Sequence, residues 1–194
     1  MQELRNLTDA IWTNILMVVT SIPIVTVGAA ITAAHDANRR ALQGEAGGVT
    51  RNYFTAFRAN FAKSTALWAV FGITGAALAY AWVVLQITPL LVPKIGLTSD
   101  WIIGFEWVFA LQARFENAVG RTLANAFVFG ISHILLTVGM IVLDAIWVGL
   151  LVACWFLFPQ GLFLLMIMGY GTIILCHIPL LERGFAQYLK SGEE

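Results

Sequence analysis

Two acidic residues stand inside otherwise apolar stretches of this chain and are the first candidates for chemistry. Asp144 interrupts the apolar run over 134–158, and Glu106 interrupts a shorter run over 101–113. If these runs lie in a membrane, an aspartate at a helix centre costs about 2.5–3.5 kcal/mol. Each carboxyl must then be protonated, hydrogen-bonded or exposed to a wet cavity. A bonded or protonated carboxyl would tie helices together, whereas a wet one would serve as a proton- or substrate-coupling site.

The sequence offers His177 as a partner for Asp144. The runs that carry them flank a turn at Pro159, with Asp144 15 residues before it and His177 18 residues after it. At 1.5 Å per residue, the two positions in such a hairpin differ in depth by only about 4–5 Å. A carboxyl and an imidazole at one depth can satisfy each other. Asp144, His177 and Glu106 are therefore the candidate intramembrane polar site.

No residue pattern predicts a metal, a cofactor or a catalytic centre. His35, His133 and His177 lie near the ends of apolar runs and lack the close spacing of metal ligands. The chain has no Walker A sequence, no H-E-x-x-H and no nucleophile-elbow pattern. The sequence thus predicts a protein that is not an enzyme.

The composition indicates which elements must position these residues. Of the 194 residues, 59% are hydrophobic and only 11% are charged, against about 25% charged in a soluble domain. Much of the surface must therefore face something other than water. The formal net charge is zero, which gives no reason to expect nucleic acid as a partner. We expect one integral membrane domain over 1–194, with the lipid bilayer as its first partner.

Apolar run lengths predict an all-α polytopic membrane protein, because a spanning helix needs about 20 apolar residues. Four runs reach that length, and the third does so only by extending through Arg114 and Phe115. We expect five spans and two interfacial amphipathic helices. The spans are 10–34, 64–88, 99–115, 134–158 and 162–181, and the interfacial helices are about 50–62 and 115–130.

Charge placement orients these spans. With five crossings, the segments 35–63, 114–121 and 182–194 share one side and hold nine basic residues, against two, Arg5 and Lys94, on the other. The positive-inside rule places the richer side in the cytoplasm. The sequence therefore predicts the N terminus outside and the C terminus inside.

The first run combines a proline with small residues. Pro23 cannot donate a backbone N–H, so we expect the helix to bend there. Behind it, Gly28, Ala29 and Ala33 belong to a small-residue face that allows close helix packing. The run is interpreted as a kinked packing helix, and the alternative is a kink that lines a substrate path.

Two segments are amphipathic rather than spanning. In TRNYFTAFRANFAK, aromatic residues gather on one helical face and basic residues on the other, and RFENAVGRTLANAF is arranged similarly. Both are interpreted as elbows in the inner headgroup region, and the alternative is a docking surface for a cytoplasmic partner. The candidate contacts are Arg51, Arg58, Phe57, Phe61 and Arg121.

Three stretches resemble a known family. SIPIVTVGAAITAA, NYFTAFRANFAKS and ARFENAVGRTLANAF are similar, in this order, to the markers of the YesL-like family of small bacterial membrane proteins, a domain of unknown function. Ala29 departs from the pattern, since members often carry proline there. The resemblance implies a polytopic helical protein of the bacterial plasma membrane, commonly encoded beside carbohydrate ABC importers. It transfers no catalytic residue.

Two functions remain open. The first is a non-enzymatic accessory or assembly component linked to a carbohydrate ABC uptake system, with the importer subunits as partners. The second is a small oligomeric transporter or channel that uses Asp144 and Glu106. A wet cavity at Asp144 would favour transport, whereas a packed Asp144 together with an exposed apolar lateral groove would favour the accessory role.

Overall fold

The computed structural model describes the backbone of residues 2–190 and the side chains of residues 4–186, 188 and 189. This part of the chain is helical and contains no strand. Short 3-10 turns at Ile24–Thr26 and Thr88–Leu90 separate some of the helices. The helices are α1 (Gln2–Thr20), α2 (Val27–Leu42), α3 (Val49–Val83), α4 (Leu91–Arg114), α5 (Val119–Ser132), α6 (Ile134–Leu157) and α7 (Gly161–Lys190).

Three of the described helices are long and apolar enough to cross a membrane: α3, α6 and the Gly161–Ala186 part of α7. This agrees with the predicted class, an all-helical membrane protein. The fourth helix, α4, carries Lys94, Asp100 and Glu106 along its length and is not among the three.

The predicted single span over 10–34 is wrong, because the chain reverses within it. α1 and α2 are separate helices that run antiparallel. Arg5 and Asp9 of α1 line the same pocket as residues 44–49, which follow the end of α2. The N-terminal part of α1 therefore lies beside that loop. The predicted position of the N terminus, on the side opposite this loop, is wrong as well.

The reversal follows from the chemistry of its turn. Pro23, which has no N–H to extend a helix, adopts an extended backbone with φ −74° and ψ 107°. Thr26 Oγ1 donates to the carbonyl oxygens of Thr20 and Pro23, the latter at 2.6 Å. These bonds satisfy backbone groups that the broken helix releases. The bend predicted at Pro23 is thus a complete change of direction.

The predicted interfacial helix 50–62 is not separate from the span that follows it. Both belong to α3, a continuous helix of 35 residues, because no glycine or proline interrupts residues 49–71. At 1.5 Å per residue α3 is about 52 Å long, which exceeds the hydrocarbon thickness of about 30 Å. One end of α3 must therefore extend beyond any membrane that it crosses.

The fourth helix returns along α3 in the opposite direction. Trp101 Nε1 donates to the carbonyl oxygen of Phe71 at 3.1 Å, and Gln112 Nε2 donates to Asn60 Oδ1 at 3.0 Å. α4 includes the predicted segment 99–115 except for its last residue and begins a further two turns earlier.

The predicted interfacial helix 115–130 is corrected to α5, which packs along α4. Near one end, Thr122 Oγ1 donates to Gln112 Oε1 at 3.2 Å. Near the other end, Gly130 lies so close to Ile103 that an added Cβ would clash with it. Since α5 follows α4 over most of its length, it does not lie flat beside the bundle.

The last two helices form a hairpin, and α1 is tied to it through Asn14. The backbone of α7 breaks at Gly169, where φ is +54°. Asn14 Nδ2 donates to the carbonyl oxygens of Met166 and Ile167, at 3.0 and 2.9 Å, just before that break. A buried amide from the first helix thus satisfies the carbonyls that the break releases.

Basic residues at the end of α2 are neutralised by neighbouring acids. The carboxylate of Asp36, itself buried, accepts hydrogen bonds from Arg39 Nη2 at 2.8 Å and Arg40 Nε at 2.7 Å. Glu45 pairs with both arginines. Burial opposes the charge of Arg39, but the hydrogen bonds and negative charges of Asp36 and Glu45 together outweigh it, so the pKa of Arg39 is raised.

Candidate functional site

The structure brings the three predicted polar residues together. His177 Nε2 lies 3.4 Å from Asp144 Oδ1, and His177 Nδ1 lies 3.9 Å from Glu106 Oε2. The imidazole therefore lies beside two carboxyl groups, each from a different helix. His177 is 1% exposed and Glu106 is 7% exposed, whereas Asp144 is partly exposed. We call these three residues the carboxyl–imidazole cluster.

The hairpin of α6 and α7 aligns Asp144 with His177. Gly139 of α6 faces Leu180 of α7, and Cys154 lies near Gly161 at the turn. These contacts set the antiparallel register between the two helices. Asp144 lies between the two contact levels, at the depth of His177.

A tryptophan on α4 fixes the third member of the cluster. Trp107 follows Glu106 and is fully buried, and its Nε1 donates to Thr137 Oγ1 on α6 at 2.9 Å. Gly184 on α7 lies so close to the six-membered ring of this indole that an added Cβ would clash with it. Because this ring contacts both helices of the hairpin, it holds Glu106 beside them.

Tyr170 belongs to the same site and was not predicted from the sequence. Its hydroxyl donates to Asp144 Oδ2 at 3.2 Å, and its ring packs edge-on against the imidazole of His177. Asp144 Oδ1 and His177 Nε2 are buried and have no hydrogen-bond partner. The sequence gave little reason to expect Tyr170 at this site. Its position in α7, two helical turns before His177, is the feature that links the two residues.

The other two histidines lie in other surroundings. His35 is buried on α2 in a small cavity with Arg39, Arg114 and Glu182. His133 lies at the junction of α5 and α6 and stacks on Phe129, with ring centroids 5.7 Å apart. The three histidines do not share one site, and only His177 joins the acids.

The predicted packing residues are internal to the fold. Ala29 and Ala33 are fully buried, and Gly28 is buried against Ser64 and Trp68 of α3. Pro23 is exposed at the turn between α1 and α2. The small-residue face of α2 is therefore covered by the protein's own helices rather than presented to a partner.

The predicted cytoplasmic contacts are divided between two helices. Arg51 and Arg58 are exposed and line one open pocket on α3. Phe61 is 41% exposed, whereas Phe57 is half-buried and stacks on Tyr53. Arg121 is exposed on α5. The structure thus groups the two arginines of α3 and leaves Arg121 on a different helix.

Comparison with known proteins gives a family for the N-terminal part of the chain. Residues 10–82 match the family described as "Protein of unknown function, DUF624". The family resemblance is confirmed over these residues, which include two of the three stretches that carry it, SIPIVTVGAAITAA and NYFTAFRANFAKS. The DUF624 segment includes most of α1, the reversal, α2 and all of α3 but its last residue. None of the curated proteins and none of the solved structures matches the chain.

Proposed function

We propose that this protein is a non-enzymatic accessory or assembly component of a membrane complex, and that it holds a transmembrane helix of its partner. The observation that carries this proposal is an open apolar groove between α3, α4 and α5, with a volume of about 720 Å³. Its walls include Phe71, Leu78, Trp101, Leu123, Phe127 and Ile131.

The groove has the dimensions and the surface that a helix needs. Its α3 wall extends from Val70 to Ala81, which is about 16 Å or three helical turns. Ala77 and Ala81 lie on that wall at a spacing of four residues, so another backbone can approach closely. Asp100 is the one acid among the lining residues. A lysine or arginine near the end of the partner helix would complement it.

The topology that accompanies this proposal has four crossings. If α3 spans the bilayer, α4 must cross back, because it packs antiparallel along the same part of α3. The hairpin of α6 and α7 supplies the other two crossings. Both termini then lie on the cytoplasmic side, and the membrane is the bacterial plasma membrane that the family resemblance implies.

The same resemblance suggests the partner, a subunit of a carbohydrate ABC importer. In this arrangement the membrane-embedded helix of the importer occupies the groove. Arg51 and Arg58 at the cytoplasmic end of α3 provide a second, basic contact surface. The packing of Asp144 against His177 and Tyr170 also favours this role over an open transport path.

Filling the groove tests the proposal. We expect the wild-type protein to co-purify with importer permease subunits from native membranes. Ala77→Phe and Ala81→Phe should abolish this, because the new rings occupy the space of the partner helix. Ala79→Phe is the matched control, since Ala79 is exposed on α3 but does not line the groove. Retained importer subunits in both groove variants would refute the proposal.

A second copy of this chain is the competing occupant of the groove. Light scattering in detergent measures the oligomeric state of the wild-type protein and of the Ala77→Phe variant. A dimer that the substitution converts to a monomer would assign the groove to self-association and overturn the accessory role. A monomeric wild-type protein leaves the groove available to a different chain.

A transporter or channel is the second candidate, and the carboxyl–imidazole cluster is the observation that favours it. Three titratable side chains from α4, α6 and α7 meet in the interior, as proton-coupled carriers require. Proteoliposomes loaded with a pH-sensitive dye would report proton entry. Transport predicts a flux that Asp144→Asn abolishes, whereas vesicles no more permeable than protein-free controls would exclude it.

A further inference from the structure

The carboxyl–imidazole cluster has the geometry of a metal site. One ligand atom each from Glu106, Asp144 and His177 can be chosen so that all three lie within 4.8 Å of one another. We propose that these three side chains bind one divalent transition-metal ion, with Zn²⁺ as the representative. This inference does not depend on the proposed docking role.

Two atoms at the centre of the cluster support this assignment. Asp144 Oδ1 and His177 Nε2 are buried without a hydrogen-bond partner, although they lie only 3.4 Å apart. Ligand atoms on a tetrahedral zinc ion with bonds of about 2.1 Å are about 3.4 Å apart. A metal ion bound to both atoms would satisfy two groups that are otherwise costly to bury.

The surroundings orient the ligands as metal sites usually do. The Tyr170 hydroxyl donates to Asp144 Oδ2 and leaves Oδ1 directed toward the imidazole. Such a hydrogen bond from outside the ligand set fixes the rotamer of a coordinating carboxylate. Trp107 donates a hydrogen bond to Thr137 and so holds α4, the helix that carries Glu106, against α6. The three ligands are therefore held by helices rather than by loops.

The charge balance and the ligand types point to the class of metal. Two ionised carboxylates bury two negative charges, and a divalent cation neutralises both, which suits a site of low polarity. An imidazole ligand favours Zn²⁺, Fe²⁺ or Ni²⁺ over Mg²⁺ and Ca²⁺. Three protein ligands leave a fourth position for water or another group. The sequence predicted these three residues as a polar site but not as a metal site, because they lack the close spacing of metal ligands in the chain.

Metal titration of the full chain in nanodiscs tests the proposal. We expect the wild-type protein to bind one Zn²⁺ per chain by elemental analysis, and Co²⁺ to give the visible absorption of a four-coordinate site. His177→Gln and Asp144→Asn should remove both signals. His133→Gln is the control, because that ring lies outside the cluster and stacks on Phe129.

A conservative variant separates metal binding from a general loss of folding. Tyr170→Phe keeps all three ligands and removes only the hydrogen bond to Asp144, so Zn²⁺ affinity should fall about tenfold with the stoichiometry unchanged. A wild-type protein that binds no Zn²⁺ would overturn the proposal. Binding that is the same in the wild type and in His177→Gln would overturn it too.

Discussion

At the scale of single residues, counting outward from the turn at Pro159 predicted that Asp144 and His177 lie at one depth. In the structure, Asp144 Oδ1 and His177 Nε2 are 3.4 Å apart. That prediction needed only the turn and the helical rise. Glu106 was a candidate for a separate reason, its position in an apolar run. Its contact with His177 could not be predicted, because it depends on how α4 packs against α7. The sequence pattern does not encode that packing directly.

A double-mutant cycle measures the coupling of the pair. Asp144→Asn and His177→Gln should each lower the free energy of unfolding by about 1–3 kcal/mol, because each leaves a buried polar group without its neighbour. The double variant should lose less than the sum of the two. Chemical denaturation in detergent measures all three, and Cys176→Ser, on the exposed side of α7, serves as the control. Strictly additive losses would show that the pair is not coupled.

At the scale of helices, the sequence predicted where the apolar segments lie more accurately than where the helices begin and end. The small residues after Pro23 correctly indicated close packing, and Ala29 and Ala33 are fully buried. The reversal at 21–26 was missed, because proline alone does not distinguish a bent helix from a turn between two helices. The break at Gly169 was also missed, since its partner, Asn14, is on α1.

The break in α7 gives a prediction for a single glycine. Gly169 has φ +54°, and an added Cβ would clash with the amide of Asn14. Gly169→Ala should therefore lower the free energy of unfolding by about 1–3 kcal/mol, through backbone strain and displacement of that amide. Gly149→Ala, in open space on α6, should be neutral or stabilising by up to about 1 kcal/mol. Equal melting temperatures for the two variants would contradict this explanation.

At the scale of the whole molecule, the reversal strengthens the charge argument that first oriented the chain. Arg5 lies in the same pocket as the loop after α2, and Arg114 pairs with Glu182 near the C-terminal end. Among the described basic side chains, Lys94 stands apart at the α3–α4 turn, where Nζ donates to the carbonyl oxygen of Leu85 at 2.9 Å. In the proposed four-crossing arrangement Arg5 joins the basic side, so the asymmetry predicted from five spans becomes larger.

The reversal between α1 and α2 puts the N-terminal part of α1 beside the loop that follows α2, and cysteine labelling can test this position in cells. Single cysteines replace Thr8, Ala46 or Gly96, all exposed, in a chain whose Cys154 and Cys176 are changed to serine. With a membrane-impermeant maleimide, Gly96→Cys should react in intact cells. Thr8→Cys and Ala46→Cys should react only after permeabilisation. If Thr8→Cys reacts in intact cells together with Gly96→Cys, α1 and α2 do not form a hairpin and the N terminus lies outside the cell.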